Sequence, residues 1–197
     1  MIDKLLIATN NAGKIEEISG ILGEINVQLV LPDELQLDLD VSETGQSYLE
    51  NARQKAVAFC EASGLPSLAD DTGLEVTALE GAPGLHSKRY SPDPLASDAH
   101  RRNLLLTNLA GKPRPWYARF VCAVVLALPD GITIQYESEC EGEIIPEERG
   151  DFGFGYDRIF LFSGVGKTMA ELEMKEKNRI SHRAKAVRGI LPYLEKF

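Results

Sequence analysis

The chain opens with an apolar run, a polar turn and an amphipathic segment, and this order restricts the fold more than any other feature. Residues 4–8 predict a buried strand, and residues 14–23 carry apolar side chains at helical spacing. Residues 27–31 predict a second strand, which ends at Pro32. A strand, a helix and a strand in succession favour the α/β class, with the two strands parallel.

The turn between the first strand and the first helix, Thr9-Asn-Asn-Ala-Gly-Lys14, raises the question of phosphate binding. A P-loop has two spaced glycines and a Ser or Thr directly after its lysine. This turn has one glycine, and Ile15 follows Lys14. The sequence therefore excludes a P-loop, and a phosphate-binding function needs support from other parts of the chain.

Length and composition indicate an ordinary soluble globular protein. A chain of 197 residues, 44% hydrophobic and 26% charged, predicts one domain over residues 1–197. The net charge of −9 argues against nucleic acid or a membrane surface as partner, but it permits a small anionic ligand in a local basic pocket. The longest apolar run, Phe120 to Leu128, is far shorter than the ~18 residues of a membrane helix.

Three cysteines, Cys60, Cys122 and Cys140, match no zinc or redox spacing. The N-terminus shows no signal-peptide pattern. We therefore expect a cytoplasmic protein with reduced thiols.

Further patterns predict a mixed sheet with helices around it. Strands are expected at residues 67–70, 74–79, 117–128 and 132–140, the last two joined as a hairpin at Asp130-Gly131. Helices are expected at residues 46–62, 99–110, 168–177 and 182–196. We expect Asp98 and Ser181 to cap the second and the fourth of these helices.

Three carboxylates stand at predicted segment junctions. Glu43 precedes the long helix, and Asp70 and Asp71 end the strand that starts at Ser67. Mg²⁺ prefers carboxylate oxygens and keeps several waters, so a few acidic ligands are enough to hold it. One of these carboxylates could instead accept a proton from an attacking water. The alternative is that these residues only begin turns and cap helices.

The long helix places Asn51 and Lys55 four residues apart and therefore on one face. A lysine on this face could pair with a carboxylate or a phosphate. From spacing alone, a solvated charged face explains the pattern equally well.

Two later segments suggest a ligand pocket. Residues 151–157, Asp-Phe-Gly-Phe-Gly-Tyr-Asp, alternate rings with glycines, so a base could stack on a ring while the backbone approaches closely. The alternative is a sheet-edge turn with two buried rings. Residues 177–186 concentrate basic side chains, and His182 and Arg183 lie at a predicted helix N-terminus, where a cation is disfavoured unless it faces an anion or a carbonyl oxygen. The alternative is a solvated basic helix.

The ordered set of these segments resembles the inosine/xanthosine triphosphate pyrophosphatases, enzymes that remove non-canonical purine nucleotides. The matching segments run through nearly the whole chain: ATNNAGKIEEI, ETGQSYLENARQKA, ADDTGLEV, GAPGLHSKRYS, FGFGYDRIF, GKTMAEL and EKNRISHRAKA. Lys88 departs from the family pattern, which more often has a small residue there. The resemblance implies an elongated mixed sheet with flanking helices, two lobes around a central cleft, and a homodimer.

The resemblance also implies site roles. Lys14 and Lys55 would neutralise phosphate charge, Glu43, Asp71 and Asp70 would hold Mg²⁺ (or Mn²⁺), and Asp71 would be the catalytic proton acceptor. The remaining residues would contact substrate: Thr9, Asn10, Asn11, Ala12, Gly13, Thr72, Phe154, Gly155, Tyr156, Asp157, Lys177, His182 and Arg183.

The implied reaction is attack of water at the α-phosphorus, which gives the monophosphate and pyrophosphate. Asp157 as acceptor, with Arg183 or His182 as donor, would match the N1–H and O6 edge of hypoxanthine and xanthine and mismatch adenine. Three alternatives stay open: a pyrophosphatase for other modified nucleotides, such as the septum-associated type, a haloacid-dehalogenase-type phosphatase, and a nucleotide sensor that does not hydrolyse its ligand. The second is disfavoured because Asp70 and Asp71 are adjacent rather than spaced as Asp-x-Asp.

Overall fold

The computed structural model describes residues 2–23 and 25–194. Its strands are β1 (Lys4–Ile7), β2 (Gln28–Val30), β3 (Ser67–Val76), β4 (Pro83–Gly84), β5 (Trp116–Ala127), β6 (Thr133–Ile144) and β7 (Phe160–Phe162). Its α-helices are α1 (Ala12–Leu22), α2 (Tyr48–Ser63), α3 (Asp98–Leu109), α4 (Met174–Ile180) and α5 (His182–Leu194). The last helix was predicted to reach residue 196, and residues 195–197 lie outside the described range.

All seven described strands join one mixed sheet in the order β2-β1-β3-β5-β6-β7, with β4 paired to β3. Strand β1 is parallel to both β2 and β3, and the other pairings are antiparallel. The predicted βαβ opening and the α/β class are therefore confirmed. The predicted hairpin is also confirmed, because β5 and β6 pair along their full length and Gly131 supplies a positive φ of 89° at the turn.

The core has two regions, and β3 passes through both. In the first region, α1 and α5 cover one face of the sheet around Leu68, and α2 covers the other face around Ala69. Successive strand residues point to opposite faces, which explains why these neighbours belong to different layers. In the second region, Leu74 packs with Phe160 and with Leu105 of α3. Residues 70–73 lie between the two regions.

The prediction of separate strands at 67–70 and 74–79 is wrong. Residues 67–76 form one strand, in which Asp70 pairs with Val124 and Gly73 with Val121 of β5. The polar Asp-Asp-Thr-Gly segment resembles a turn, but its side chains find polar partners and its backbone continues the ladder. Gly73 is required here, because a Cβ would collide with Tyr48 and with the Gly84 carbonyl.

Smaller differences concern the helix ends and two short strands. Ser97, not Asp98, caps α3, since its hydroxyl accepts the His100 N–H at 3.3 Å. The predicted helix over 168–177 is a short 3₁₀ turn, Met169–Glu171, followed by α4. The predicted cap of α5 is confirmed, because the Ser181 hydroxyl accepts the Ala184 N–H at 3.1 Å. Strands β4 and β7 were not predicted.

In the described part of the chain, none of the helices has the length and apolar character needed to cross a bilayer.

Candidate active site

A cavity of about 470 Å³ opens beside the middle of β3, a volume suited to a small-molecule ligand. Its walls come from both core regions, as the expected central cleft requires. The predicted residues that line it are Thr9, Asn10, Asn11, Lys14, Glu43, Lys55, Asp71, Thr72, Phe154, Gly155, Tyr156, Asp157, Lys177, His182 and Arg183. Ala12, Gly13 and Asp70 were predicted with this set but do not line the cavity.

One end of the cavity is formed by the turn between β1 and α1. The Asn11 side chain caps α1 by accepting the Lys14 N–H at 3.2 Å, and the Thr9 hydroxyl accepts the Asn11 N–H at 3.2 Å. A helix N-terminus presents unpaired N–H groups and a partial positive charge, which favour an anion. The Lys14 ammonium lies 3.1 Å from the Asp70 carboxylate, so the turn adds a full positive charge beside these donors.

Glu43 and Asp71 face each other across Lys55. The Lys55 ammonium lies 2.8 Å from Glu43 Oε1 and 3.8 Å from Asp71 Oδ1. Asn51, one turn before Lys55 on α2, donates to Asp71 Oδ2 at 3.0 Å. The predicted shared face of Asn51 and Lys55 is thus confirmed, and it is directed at the acidic pair rather than at solvent.

The two carboxyl groups of this pair have opposite pKa shifts. Burial raises the pKa of Asp71 above its ordinary value of 3.8, and the nearby Glu43 adds to the rise despite Lys55 and Lys14. Burial also opposes ionisation of Glu43, but its contacts with Lys55 and Arg89 outweigh that effect and lower its pKa. Asp71 is therefore short of compensating positive charge, and it is the carboxylate that a further cation would stabilise most.

Asp70 points to the opposite face of β3 from Asp71. Its carboxylate is buried and pairs with Lys14 at 3.1 Å and with Arg183 Nε at 3.1 Å. Burial opposes ionisation, but these two cations hold the pKa of Asp70 far below its usual range. Asp70 thus holds Lys14 and Arg183, two residues that line the cavity, in place through ion pairs.

The donor set decides which metal ions fit the acidic pair. Among residues 2–23 and 25–194, no group of three or more His, Cys, Asp or Glu side chains is arranged to hold a metal. Glu43 and Asp71 line the cavity together, and their ligand atoms are hard carboxylate oxygens. Two such ligands fit a cation that completes its shell with waters and phosphate oxygens, as Mg²⁺ does.

The other end of the cavity rests on a buried charge network that centres on Glu17. One oxygen of Glu17 lies 2.6 Å from Lys177 Nζ, and the other pairs with the Arg183 guanidinium. All three side chains are at most 3% exposed. The predicted solvated-helix alternative for Lys177 and Arg183 is therefore wrong, although Arg179 and Lys185 of the same cluster are exposed.

Phe154 and Asp157 are fixed above this network. The Phe154 ring packs where a Cβ at Gly13 would lie, and the Lys177 ammonium is 5.4 Å from the ring centroid. Asp157 Oδ2 accepts the Phe154 N–H at 3.0 Å and the Lys177 ammonium at 2.6 Å. Burial raises the pKa of Asp157, and Glu17 adds to the rise although Lys177 lowers it. Tyr156 is buried and donates its hydroxyl to the Ser87 carbonyl at 2.9 Å.

His182 is buried and neutral. Burial, together with the positive charges of Arg183 and Lys177, lowers its pKa well below 6.5. Its ring stacks on Phe120 with centroids 4.8 Å apart, and its Nδ1 lies 3.6 Å from Cys140 Sγ. Burial raises the pKa of Cys140 to about 12, so the thiol keeps its proton and can donate it to Nδ1. With the thiol as donor, the ring proton is on Nε2, which is buried without a hydrogen-bond partner among the described residues.

Sequence reasoning missed several residues of this site. Glu17 could have been found, because it lies one helical turn before Ile21 on the apolar face of α1, where an acidic side chain is unexpected. Lys88, Asp98, Arg101 and Phe120 also line the cavity. Lys88 lies in a 3₁₀ turn, Asp98 and Arg101 lie on α3, and Phe120 lies on β5. Nothing in their spacing connects them to the predicted set.

The fold and this cavity define an α/β protein in which one cleft joins an acidic pair and a helix N-terminus to a pocket that rests on buried ion pairs. The sequence matches the Ham1 family over residues 5–193. The chain belongs to the Ham1 family.

Individual relatives and solved structures agree with this membership. The chain is 43% identical over 190 residues to the dITP/XTP pyrophosphatase of Desulfotalea psychrophila, covering 96% of this chain and 84% of the relative. It is 44% identical over 191 residues to a Thermus thermophilus protein of the same name, covering 95% and 90%. A HAM1 protein structure from Coxiella burnetii superposes with a TM-score of 0.88 at 36% identity, covering all of both chains.

Proposed function

We propose that this protein hydrolyses non-canonical purine nucleoside triphosphates, namely ITP, dITP and XTP, to the monophosphate and pyrophosphate, and so removes them from the nucleotide pool. The observation that carries the proposal is that one cavity joins the α1 N-terminus, the Glu43–Asp71 pair and the pocket around Phe154. Relatives that are 43% and 44% identical over nearly the whole chain carry the name dITP/XTP pyrophosphatase, which supports this choice of substrate.

Glu43 and Asp71 would hold a Mg²⁺ ion, with Mn²⁺ as the alternative. When bound, the ion would screen the phosphate charge that repels an attacking water. The raised pKa of Asp71 supports the assignment, since a cation would supply positive charge that this carboxylate lacks. We assign Asp70, which pairs with Lys14 and Arg183, to holding those cations rather than to the metal.

Lys14, Lys55 and Asp71 account for the chemical step. The two ammonium groups lie beside the cavity and would stabilise the negative charge that develops on the departing pyrophosphate. Asp71 would accept the proton of the water that attacks the α-phosphorus. Asn51 holds Asp71 Oδ2 and so orients the accepting carboxylate. Thr9, Asn10, Asn11 and Thr72 would contact the phosphates.

The buried polar groups of the pocket would recognise the hydrogen-bonding edge of the base. Asp157 would accept the N1–H of hypoxanthine or xanthine, and neutral His182 would donate its Nε2–H to O6. Arg183 is the weaker candidate for this donor, because Glu17, Asp70 and Thr72 already accept its N–H groups. Adenine has an acceptor at N1 and a donor at C6, so it would leave both protein groups unpaired, a mismatch that can discriminate by ~10⁴-fold.

The family resemblance further supports a cytoplasmic homodimer. Size-exclusion chromatography coupled to light scattering tests this proposal. A homodimer should have twice the mass of one chain.

The proposed function is tested by measuring pyrophosphate and orthophosphate release from ITP, dITP, XTP, ATP and GTP, with Mg²⁺, with Mn²⁺ and with EDTA. We expect pyrophosphate from the first three nucleotides in either metal and none in EDTA. ITP that binds and stays intact would identify a nucleotide sensor instead. Release of orthophosphate would identify a phosphatase, and preference for another nucleotide would identify a pyrophosphatase of different specificity.

A further inference from the structure

Helix α3 holds the peptide groups of Gly155 from both sides. Asp98 Oδ2 accepts the Gly155 N–H at 2.7 Å, and Arg102 NH1 donates to the Gly155 carbonyl at 2.8 Å. Gly155 has a φ of 61°, in the left-handed region that glycine adopts without strain. Two side chains one turn apart on α3 thus fix the conformation of a residue 53 or more positions later in the chain.

Both side chains are themselves held in place. Arg102 makes a two-pronged pair with Glu148, with Nε to Oε1 at 2.7 Å and NH2 to Oε2 at 3.1 Å. Asp98 pairs through its other oxygen with Arg101. Burial opposes ionisation of Asp98, but the Gly155 N–H and Arg101 outweigh it and lower its pKa, so the carboxylate is charged at neutral pH. A charged acceptor and a charged donor make stronger hydrogen bonds than neutral groups do.

Gly155 connects the parts of the pocket that would recognise the base. Phe154 precedes it, and Asp157, which binds the Phe154 N–H, lies two residues after it. Tyr156 follows directly, and its hydroxyl is bound to the Ser87 carbonyl. A rotation of the Gly155 peptide groups would therefore move the Phe154 ring and the Asp157 carboxylate relative to each other.

We propose that Asp98 and Arg102 are positioning residues for nucleobase recognition, which act by fixing Gly155 and thereby the placement of Phe154 and Asp157. This inference rests on the proposed function, because it assigns the pocket around Phe154 to a purine. The phosphate-binding lysines and Asp71 have no described bond to α3. Loss of the Asp98–Gly155 bond should therefore weaken nucleotide binding and base discrimination while the chemical step continues.

The test compares Asp98→Ala with Asp98→Asn, which keeps an oxygen acceptor for the Gly155 N–H. We expect Asp98→Ala to raise the KM for ITP by roughly 10-fold with kcat nearly unchanged, the loss typical of a hydrogen bond to a charged group. The ratio of kcat/KM for ITP to that for ATP should fall in the same variant. Asp98→Asn should stay within about 3-fold of wild type, and Arg102→Lys, which keeps the charge but not the fork, should be intermediate.

Ser97→Ala is the matched structural control. It removes the cap of α3 without touching Gly155, so it should lower the melting temperature and leave KM and the ITP/ATP ratio unchanged. If Ser97→Ala raises KM as much as Asp98→Ala does, the role of Asp98 is helix stability and the inference is wrong. Wild-type KM and discrimination in Asp98→Ala would also overturn it. If Asp98→Ala does not fold, Arg102→Lys and Asp98→Asn carry the same comparison.

Calorimetric binding of inosine monophosphate separates this inference from the proposed function. Binding of the monophosphate needs the base pocket but no hydrolysis. Wild type that binds it about 10-fold more tightly than Asp98→Ala, yet releases no pyrophosphate from ITP, would contradict the proposed function and support the positioning role. Equal affinities in the two proteins would overturn the positioning role whether or not ITP is hydrolysed.

Discussion

The two ends of the cavity differ in how far their charged side chains are buried and paired with one another. At the end formed by the α1 N-terminus, Lys55 and Glu43 have side chains 14% and 27% exposed, and Asp71 has a raised pKa. At the other end, Glu17, Lys177 and Arg183 are almost fully buried and already paired with one another. At the first end, the carboxylate of Asp71 lacks compensating positive charge until a charged ligand binds. At the second end, the buried charges compensate one another without a ligand. We infer that the first end performs the chemistry and the second provides a rigid base pocket.

Replacement of Asp71 should have the largest effect on activity. Asp71→Asn keeps the shape of the side chain but cannot accept the proton of water or supply a charged metal ligand. We expect the rate of pyrophosphate release from ITP to fall by about 10²- to 10⁴-fold, the range typical of general-base residues. Near-normal turnover in this variant would contradict the assignment of Asp71.

The thermal stability of the same variant gives a second test of the charge at this end of the cavity. The raised pKa of Asp71 means that its charged form is disfavoured in the folded protein, so ionisation stabilises the unfolded state more than the folded state. Asp71→Asn should therefore melt at or above the wild-type temperature by calorimetry. A clear fall in melting temperature would show that the pair with Lys55 is structural.

Replacement of Glu17 should affect stability most. Glu17→Ala leaves Lys177 and Arg183 buried with fewer partners, and breaking such a buried ionic network typically costs about 3–5 kcal/mol. Glu43→Ala is the matched control at the other end. Its partly exposed ion pair should contribute less than about 1 kcal/mol to stability, yet its loss should remove most of the activity.

Urea unfolding of both variants, with pyrophosphate release measured in parallel, checks this contrast. Equal losses of stability in Glu17→Ala and Glu43→Ala would mean that the two ends do not differ in the way we infer.

The pH dependence should follow Asp71. Activity should rise with pH as the carboxylate ionises. Burial and Glu43 raise its pKa above 3.8 in the metal-free protein, and a bound cation would move the midpoint of activity to lower pH. Any stability that comes from its protonated form is present below the unfolded pKa and lost as pH rises through the folded one. Asp70 behaves in the opposite sense. Its lowered pKa gives stability above the unfolded value, lost as pH falls toward the folded one.

A rate profile from about pH 4 to 9, with melting temperatures at each pH, checks this prediction. Wild-type protein should lose activity in acid before it loses its fold. An acidic limb that coincides with unfolding would assign the pH dependence to Asp70 and its ion pairs instead of to Asp71.

The structural features that could be predicted from the sequence are those that depend on the local pattern of residues. The βαβ opening, the Asp130-Gly131 hairpin and the face of α2 that carries Lys55 all follow from periodicity and turn chemistry, and the structure has them. The Asp70–Gly73 segment was misjudged, because its polar residues resemble a turn and only its pairing with β5 makes it a strand. The attachment of Asp98 to Gly155 could not be predicted, since the two are 57 positions apart and meet only through packing of α3.

The position of the oxygen that enters from water tests the proposed chemistry most directly. Hydrolysis of ITP in ¹⁸O-labelled water should place the label in the phosphate of inosine monophosphate and leave pyrophosphate unlabelled, because we propose that the water activated by Asp71 attacks the α-phosphorus. Label in the pyrophosphate would mean attack at the β-phosphorus, and labelled orthophosphate would mean attack at the γ-phosphorus. Either result would contradict the proposed attack at the α-phosphorus.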